Sequence, residues 1–226
     1  PTNYTFEQTT LQGGFFVSGE QVTLDPKGSS IDAVVIYLDL SLRSLGPMGA
    51  WQTFKVDGKS YDLSHFDNFN FNYTRDATDT HPAKNIRFLV SFGHHCFTSH
   101  IGDDAWIYPH AGGNPRYFCP IRNELSREIP KILSDVVASN PFIKKTFVEH
   151  REQFFYLEKN VNNIDYRLFL EISKANKPFA DIRLKVASAY PEESYAKPVG
   201  YTDIFSFWRV VDSRLEGTKL PTKKRR

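Results

Sequence analysis

Two adjacent histidines and a cysteine, His94-His95-Cys96, close a hydrophobic run that begins at Asn85. An imidazole titrates near neutrality, which suits it to general acid–base work. Where a strand ends and a loop begins, the strand fixes a side chain and the loop admits a ligand. Neighbours on a strand point to opposite faces, so Phe88, Val90, Phe92 and His94 are expected on one side. Leu89, Ser91, Gly93 and His95 then share the other. This alternation makes His94 the core histidine and His95 the candidate base, with Thr98 nearby. A hydrogen-bonded structural role for His95 is the competing reading.

Other residue types in the chain carry potential chemistry. Arg116, Arg122 and Arg127 bracket the start of a predicted helix. A guanidinium beside a helix N-terminus forms a phosphate-binding corner, and surface pairing with Glu124 and Glu128 is the plainer alternative. His95, Cys96, His100, His110 and Cys119 are zinc-ligand types, but their spacing matches no closed structural pattern. Glu171-Ile172-Ser173-Lys174 has the residue types of a metal-dependent nuclease strand, with two intervening residues where one is usual. Gly112-Gly113 has no following helix with a Lys-Ser/Thr pair, so a nucleotide-binding P-loop is not supported.

The elements that must hold these groups follow from periodicity. Residues 1–75 read as β-rich, with a buried strand at Ile31–Leu40 and an Asp57-Gly58 hairpin between Phe54 and Tyr61. Phe69, Phe71 and Tyr73 alternate with asparagines, which places three rings on one face. An aromatic row of this kind can stack bases, but the core is its expected place. Asn85–Gly93 is the next strand, flanked by loops at 76–84 and 109–115, and Arg116–Cys119 forms a short one. The long helix is expected over 123–139, where Leu125, Ile129, Ile132, Leu133, Val136 and Val137 keep the 3.6-residue period. Pro130 requires it either to begin near Arg127 or to kink. Strands at Phe154–Glu158, Tyr166–Ile172 and Ile182–Tyr190 follow as an antiparallel meander, and a final helix is expected over 201–215.

The chain of 226 residues is long enough to bury roughly 70 % of its surface without disulfides. No stretch approaches the roughly 20 apolar residues of a membrane span, and Pro1-Thr2-Asn3-Tyr4 does not read as a signal peptide. With two cysteines and no Cys-x-x-Cys pair, free thiols in a reducing, cytoplasmic setting are expected, and no membrane partner. The net charge of +2 hides an asymmetry. Residues 1–120 carry −4, residues 121–216 carry +1, and residues 217–226 carry +5. That tail can hold phosphates or simply remain solvated. The expected architecture is one α+β domain over 1–216 followed by the basic tail. It is built on a mainly antiparallel β-sheet with one long helix mid-chain and one C-terminal helix, and 1–80 is a candidate β-rich lobe.

Several motifs occur together in a fixed order. Val90-Ser91-Phe92-Gly93-His94-His95-Cys96-Phe97-Thr98 is followed by Arg116-Tyr117-Phe118, Leu125-Ser126 and Ile129-Pro130. Phe154-Phe155, Leu184-Lys185-Val186-Ala187-Ser188-Ala189-Tyr190 and Lys197-Pro198-Val199 come next. This order resembles an uncharacterised family of bacterial proteins over roughly 85–205. A helix followed by a meander ending in Val186-Ala187-Ser188-Ala189-Tyr190-Pro191 looks, more loosely, like ribonuclease toxins of the barnase and RelE type. That likeness implies metal-independent RNA cleavage and matches Ser188 to the hydroxyl of the last strand.

On this reading His95 is the base, Arg122 meets phosphate, and Ser188 or Tyr190 positions the scissile group. RNA is the partner, and no cofactor is invoked. The rival is a non-enzymatic module that binds another protein, with His95 packed inward and no cationic cleft around it. The cleavage reading fails if both Arg122 and Ser188 lie more than about 12 Å from His95.

Overall fold

A computed structural model of the chain describes residues 51–77, 82–110, 113–146, 154–192 and 198–221. All belong to one unit, Ile36–Arg226. The expected strand at Ile31–Leu40 and the last five residues of the basic tail lie outside the described residues. The fold is α+β.

The Asp-Gly hairpin forms as predicted. β1 (Phe54–Val56) and β2 (Lys59–Tyr61) pair antiparallel, with Asp57 and Gly58 at φ 50° and 70°. Both central positions thus occupy the left-handed region that a type I′ turn requires. Next come β3 (Phe69–Arg75) and β4 (Lys84–His95), then the two-residue strands β5 (Thr98–Ser99) and β6 (Tyr117–Phe118). The helical segment follows, and then β7 (Phe142–Thr146), β8 (Phe155–Val161), β9 (Ile164–Lys174), β10 (Ile182–Pro191) and β11 (Tyr201–Ser206).

Seven strands make the main sheet in the order β11-β7-β8-β9-β10-β4-β3. The predicted meander is its centre, with β9 antiparallel to both β8 and β10. Periodicity did not disclose that β10 pairs parallel with β4, register Leu184↔Val90. A parallel pair needs a long crossover, and here the helical segment and β7–β9 supply it.

The long helix is a composite. α1 (Pro120–Leu125) passes through a 3-10 turn at Ser126–Glu128 into α2 (Ile129–Ser139). Pro130 sits in the first turn of α2, where the donor it lacks would have no partner anyway. Asn140, at φ 48°, ends the helix in the left-handed conformation.

The C-terminal helix is shorter than expected. α3 spans Phe207–Glu216, and Tyr201–Ser206 is β11, antiparallel to β7. Phe207, Trp208 and Val211 keep the helical period, but upstream Asp203 and Phe205 are buried while Ile204 is 50 % exposed. That is strand alternation, and it extended the apparent helical pattern backwards. β7 was not anticipated, because its Phe-Ile-Lys-Lys-Thr follows the helix too closely to stand out.

The buried faces of α2 and α3 close over one side of the sheet. Ile132, Leu133, Val136, Phe207 and Val211 join Phe88, Val90, Leu168, Leu170, Leu184 and Val186 in a continuous apolar core. The row of rings is core as expected: Phe71 and Tyr73 are buried, and Phe71 stacks on Phe88 at 4.9 Å. A second, aromatic cluster caps one end. Phe66 and Trp51 meet Phe97 at 4.8 and 5.2 Å, and Phe54 and Tyr61 each meet Phe118 at 4.7 Å. This cap pins Phe97, two residues beyond His95.

Candidate functional site

The helices leave the other face of the sheet uncovered at β4 and β10, and a cleft of about 630 Å³ opens there. The residues on this side follow from strand alternation. Leu168, Leu170 and Ile172 turn inward along β9, which sends Phe169 and Glu171 outward; Lys185 on β10 stands opposite Glu171. Lys185 Nζ donates to Glu171 Oε1 at 2.7 Å. Arg167, further along β9, is ion-paired with Glu158 and Glu192, so its charge is not offered to the cleft.

The register breaks where the site begins. β10 runs regularly from Ile182 to Val186 and then shifts at Ala187 against both of its neighbours. Such an irregularity re-aims the side chains around it. The strands come close together at this point: a Cβ built on Gly93 would lie 2.6 Å from the Ala187 carbonyl oxygen. Only a residue without a side chain fits between the two strands.

Because the pleat is interrupted, His94 and His95 both line the cleft, half-buried. Strict alternation had sent His94 into the core, and that expectation is corrected. His94 instead lies between two other imidazoles, with ring centroids 4.3 Å from His95 and 4.7 Å from His110.

His95 is in register with Ser188 on the adjacent strand, a spacing of about 4.8 Å, well inside the 12 Å limit. Burial, then the charges of Arg116 and Arg122 and the neighbouring histidines, push the His95 imidazole down to about 4. It is therefore neutral at physiological pH. His94 is lowered too, by burial first and then by His110, Arg116 and Lys185.

The remaining predicted residues are placed differently. Thr98 is fully buried and acts as a hub. Its hydroxyl donates to the His94 carbonyl at 2.8 Å, and its own carbonyl receives Arg122 Nη1 at 2.6 Å and Arg116 Nη2 at 3.0 Å. Arg122 is only 4 % exposed, with its guanidinium 4.9 Å from the centre of the Tyr190 ring. The Arg122 guanidinium, expected to meet phosphate, is thus turned inward onto the Thr98 carbonyl and the Tyr190 ring. Tyr190 lines the cleft and stacks on Phe169 at 5.6 Å. Arg127 takes no part in this cluster and pairs with Glu124, as its plainer reading expected.

The two thiols are free. Cys96 is buried and donates to the Val186 carbonyl at 3.4 Å, and burial pushes its thiol up to about 12. Among the described residues no three His, Cys, Asp or Glu side chains come together as a metal site. Of Glu171-Ile172-Ser173-Lys174, only Glu171 reaches the cleft.

Residues 53–215 match the YjaZ family. The chain belongs to that family. The YjaZ match takes in every residue lining the cleft except Trp51, and it extends the resemblance seen over 85–205 upstream to the β1–β2 hairpin. No curated protein and no solved structure matches the chain, so the likeness of its C-terminal sheet to ribonuclease toxins receives no support from relatives. Among the described residues no helix is long and apolar enough to cross a membrane.

The cleft residues missed from sequence are Lys185, Phe169 and Trp51, while Glu171 was noted only as part of a nuclease-like strand. The alternation of β9 and β10 carried the signal for Lys185 and Phe169, since a charged or aromatic residue on the solvent side of a strand is where a site can form. Trp51, at the start of the described segment, gave no such signal.

Proposed function

We propose that the cleft takes a phosphodiester and that the protein is directed to RNA, cleaving it without a metal ion. The observation that carries this reading is a neutral imidazole, His95, facing the Ser188 hydroxyl across the strand irregularity within the field of two guanidinium groups. In the proposed step His95 takes the proton of the ribose 2′-hydroxyl and the 2′-oxygen bonds to phosphorus. The bond to the 5′-oxygen then breaks, and the same proton passes to that leaving oxygen. Ser188 and the Lys185 ammonium are the donors that face the cleft, while Arg116 and Arg122 favour the developing negative charge from behind. Aromatic walls beside cations are also what single strands bind.

The test is RNA decay in the presence of EDTA. The wild type is expected to cleave and His95→Ala to lose most of that activity. Equal decay with the two proteins would remove the catalytic reading. In the free protein the acid limb of the rate is expected near pH 4, because His95 stays unprotonated down to that value.

A second reading, a non-enzymatic interaction module, is favoured by a different place. Phe142 is 77 % exposed and Ile204 and Tyr201 are each 50 % exposed, all on β7 and the edge strand β11. Apolar exposure at an edge is a common mark of a partner site. Protein binding that is lost on Phe142→Asp, with no RNA bound by the wild type, would favour it.

A further inference from the structure

A second groove, of about 610 Å³, lies on the helix-covered side of the sheet, where the end of β3 meets one face of α3. That volume is in the range of small-molecule sites. Arg75 keeps the alternation of Phe71 and Tyr73 and so reaches this side of β3. Its guanidinium stands 5.0 Å from the centre of the Trp208 ring, and Nη1 donates to the two Asp212 oxygens at 3.0 and 2.9 Å. The Nε–H of the same side chain is buried and has no acceptor. A buried donor without a partner is costly, and an arginine fixed by a ring and a carboxylate is not free to turn it toward water. Nε belongs to the side edge with which a guanidinium takes an oxyanion bidentately.

Other side chains of the groove complete an anion site. Ser206, Arg209 and Asp212 follow one another at three-residue spacing, so they share a stripe of α3, and Asp212 brings Arg75 to it. The Ser206 hydroxyl makes no capping bond, and Arg209 is exposed with no ion pair among the described residues. A guanidinium edge, a second guanidinium and a hydroxyl match the several oxygens of a phosphate. Farther along, Glu216 and Lys219 are exposed on the same groove, an acceptor and a donor of the kind that hold hydroxyl groups. The described lining sets three cations, Arg75, Arg209 and Lys219, against the carboxylates of Asp212 and Glu216, and Asp212 is already bonded. We infer that this groove binds a phosphorylated sugar, its phosphate at Arg75, Arg209 and Ser206 and its hydroxyl groups toward Glu216 and Lys219. None of these residues lines the cleft, so the site stands apart from the RNA reading above.

The test is calorimetric titration with ribose 5-phosphate, ribose, inorganic phosphate and a short single-stranded RNA without terminal phosphates. Ribose 5-phosphate is expected to bind at least about tenfold tighter than ribose or inorganic phosphate, the effect of one charge-assisted contact. Arg209→Glu reverses a charge at an exposed position and is expected to weaken that binding about tenfold or more. Arg75→Lys, which keeps the charge and removes the fork, should do the same; if it does not fold, Arg209→Glu still decides. His95→Ala, in the cleft, is expected to leave the affinity unchanged. Failure of ribose 5-phosphate to bind, or binding that Arg209→Glu leaves intact, overturns the site. Inorganic phosphate bound as tightly as ribose 5-phosphate overturns the sugar. Binding of the RNA alone, lost in Arg209→Glu, overturns the small-molecule ligand and gives the groove to a polynucleotide backbone.

Discussion

The two halves of β10 behave differently. From Ile182 to Val186 the strand alternates without interruption, and every second residue enters the core beneath α2 and α3. From Ser188 to Pro191 the pairing with β9 is displaced, β4 pairs only at Ser188, and the Ser188 and Tyr190 side chains emerge into the cleft. Both halves pair with β9, but in the second the register has shifted and β4 has ended at His95. Regular pairing builds the apolar interior. The displaced segment spends that regularity on bringing His94, His95 and Ser188 together. The difference teaches that the irregularity at Ala187 is what makes one strand serve as both scaffold and site.

Substitutions on either side of that point sharpen the contrast. Phe88→Ala, under the stack with Phe71 and the core of α3, is expected to cost about 3–5 kcal/mol in urea unfolding. The cleft should keep its ligand affinity per folded molecule, and a matching loss of affinity would erase the division between the halves. Gly93→Ala sets a methyl group against the Ala187 carbonyl and is expected to cost about 1–3 kcal/mol. Here affinity should fall along with stability, and a variant as stable and as active as the wild type would break the role given to the irregularity.

Acidification acts on the histidines of the cleft and its surroundings. His95 and His65 are both held near 4 by burial first, against an ordinary value of 6.5. Between those values the unfolded chain binds protons that the folded chain does not. Stability is therefore complete above about pH 6.5 and declines as the pH falls toward 4, which the urea midpoint across that range measures. A flat profile would mean that these imidazoles are not desolvated. The smallest effect is expected for Phe142→Ser at the exposed edge, within about 0.5 kcal/mol.

Much of the scaffold was legible because hydrophobic period and turn chemistry are local. The Asp57-Gly58 hairpin, the rings at 69, 71 and 73, the composite helix and the β8–β10 meander all announce themselves within a few residues. The parallel pairing of β4 with β10 did not, since it joins segments some ninety positions apart and depends on which edges remain open. The site was half legible for the same reason. His95, Ser188 and Tyr190 stand out as types at the ends of strands, and they do line the cleft. Arg122 and Thr98 are near His95 in sequence, yet both turn inward: the guanidinium donates to the Thr98 carbonyl and the Thr98 hydroxyl to the His94 carbonyl. The role of His94 depended on a bulge that no alternation rule contains.

The buried thiol of Cys96 has a use for the experimenter. Its hydrogen sits on the carbonyl of Val186, on the neighbouring strand, so no reagent reaches the sulfur until β4 and β10 separate. Cys119 is only half-buried. With Cys119 replaced by serine, the rate at which a disulfide reagent labels the chain becomes a clock for the parting of the two strands that carry His95 and Ser188. A ligand seated between them should slow that clock in proportion to its occupancy.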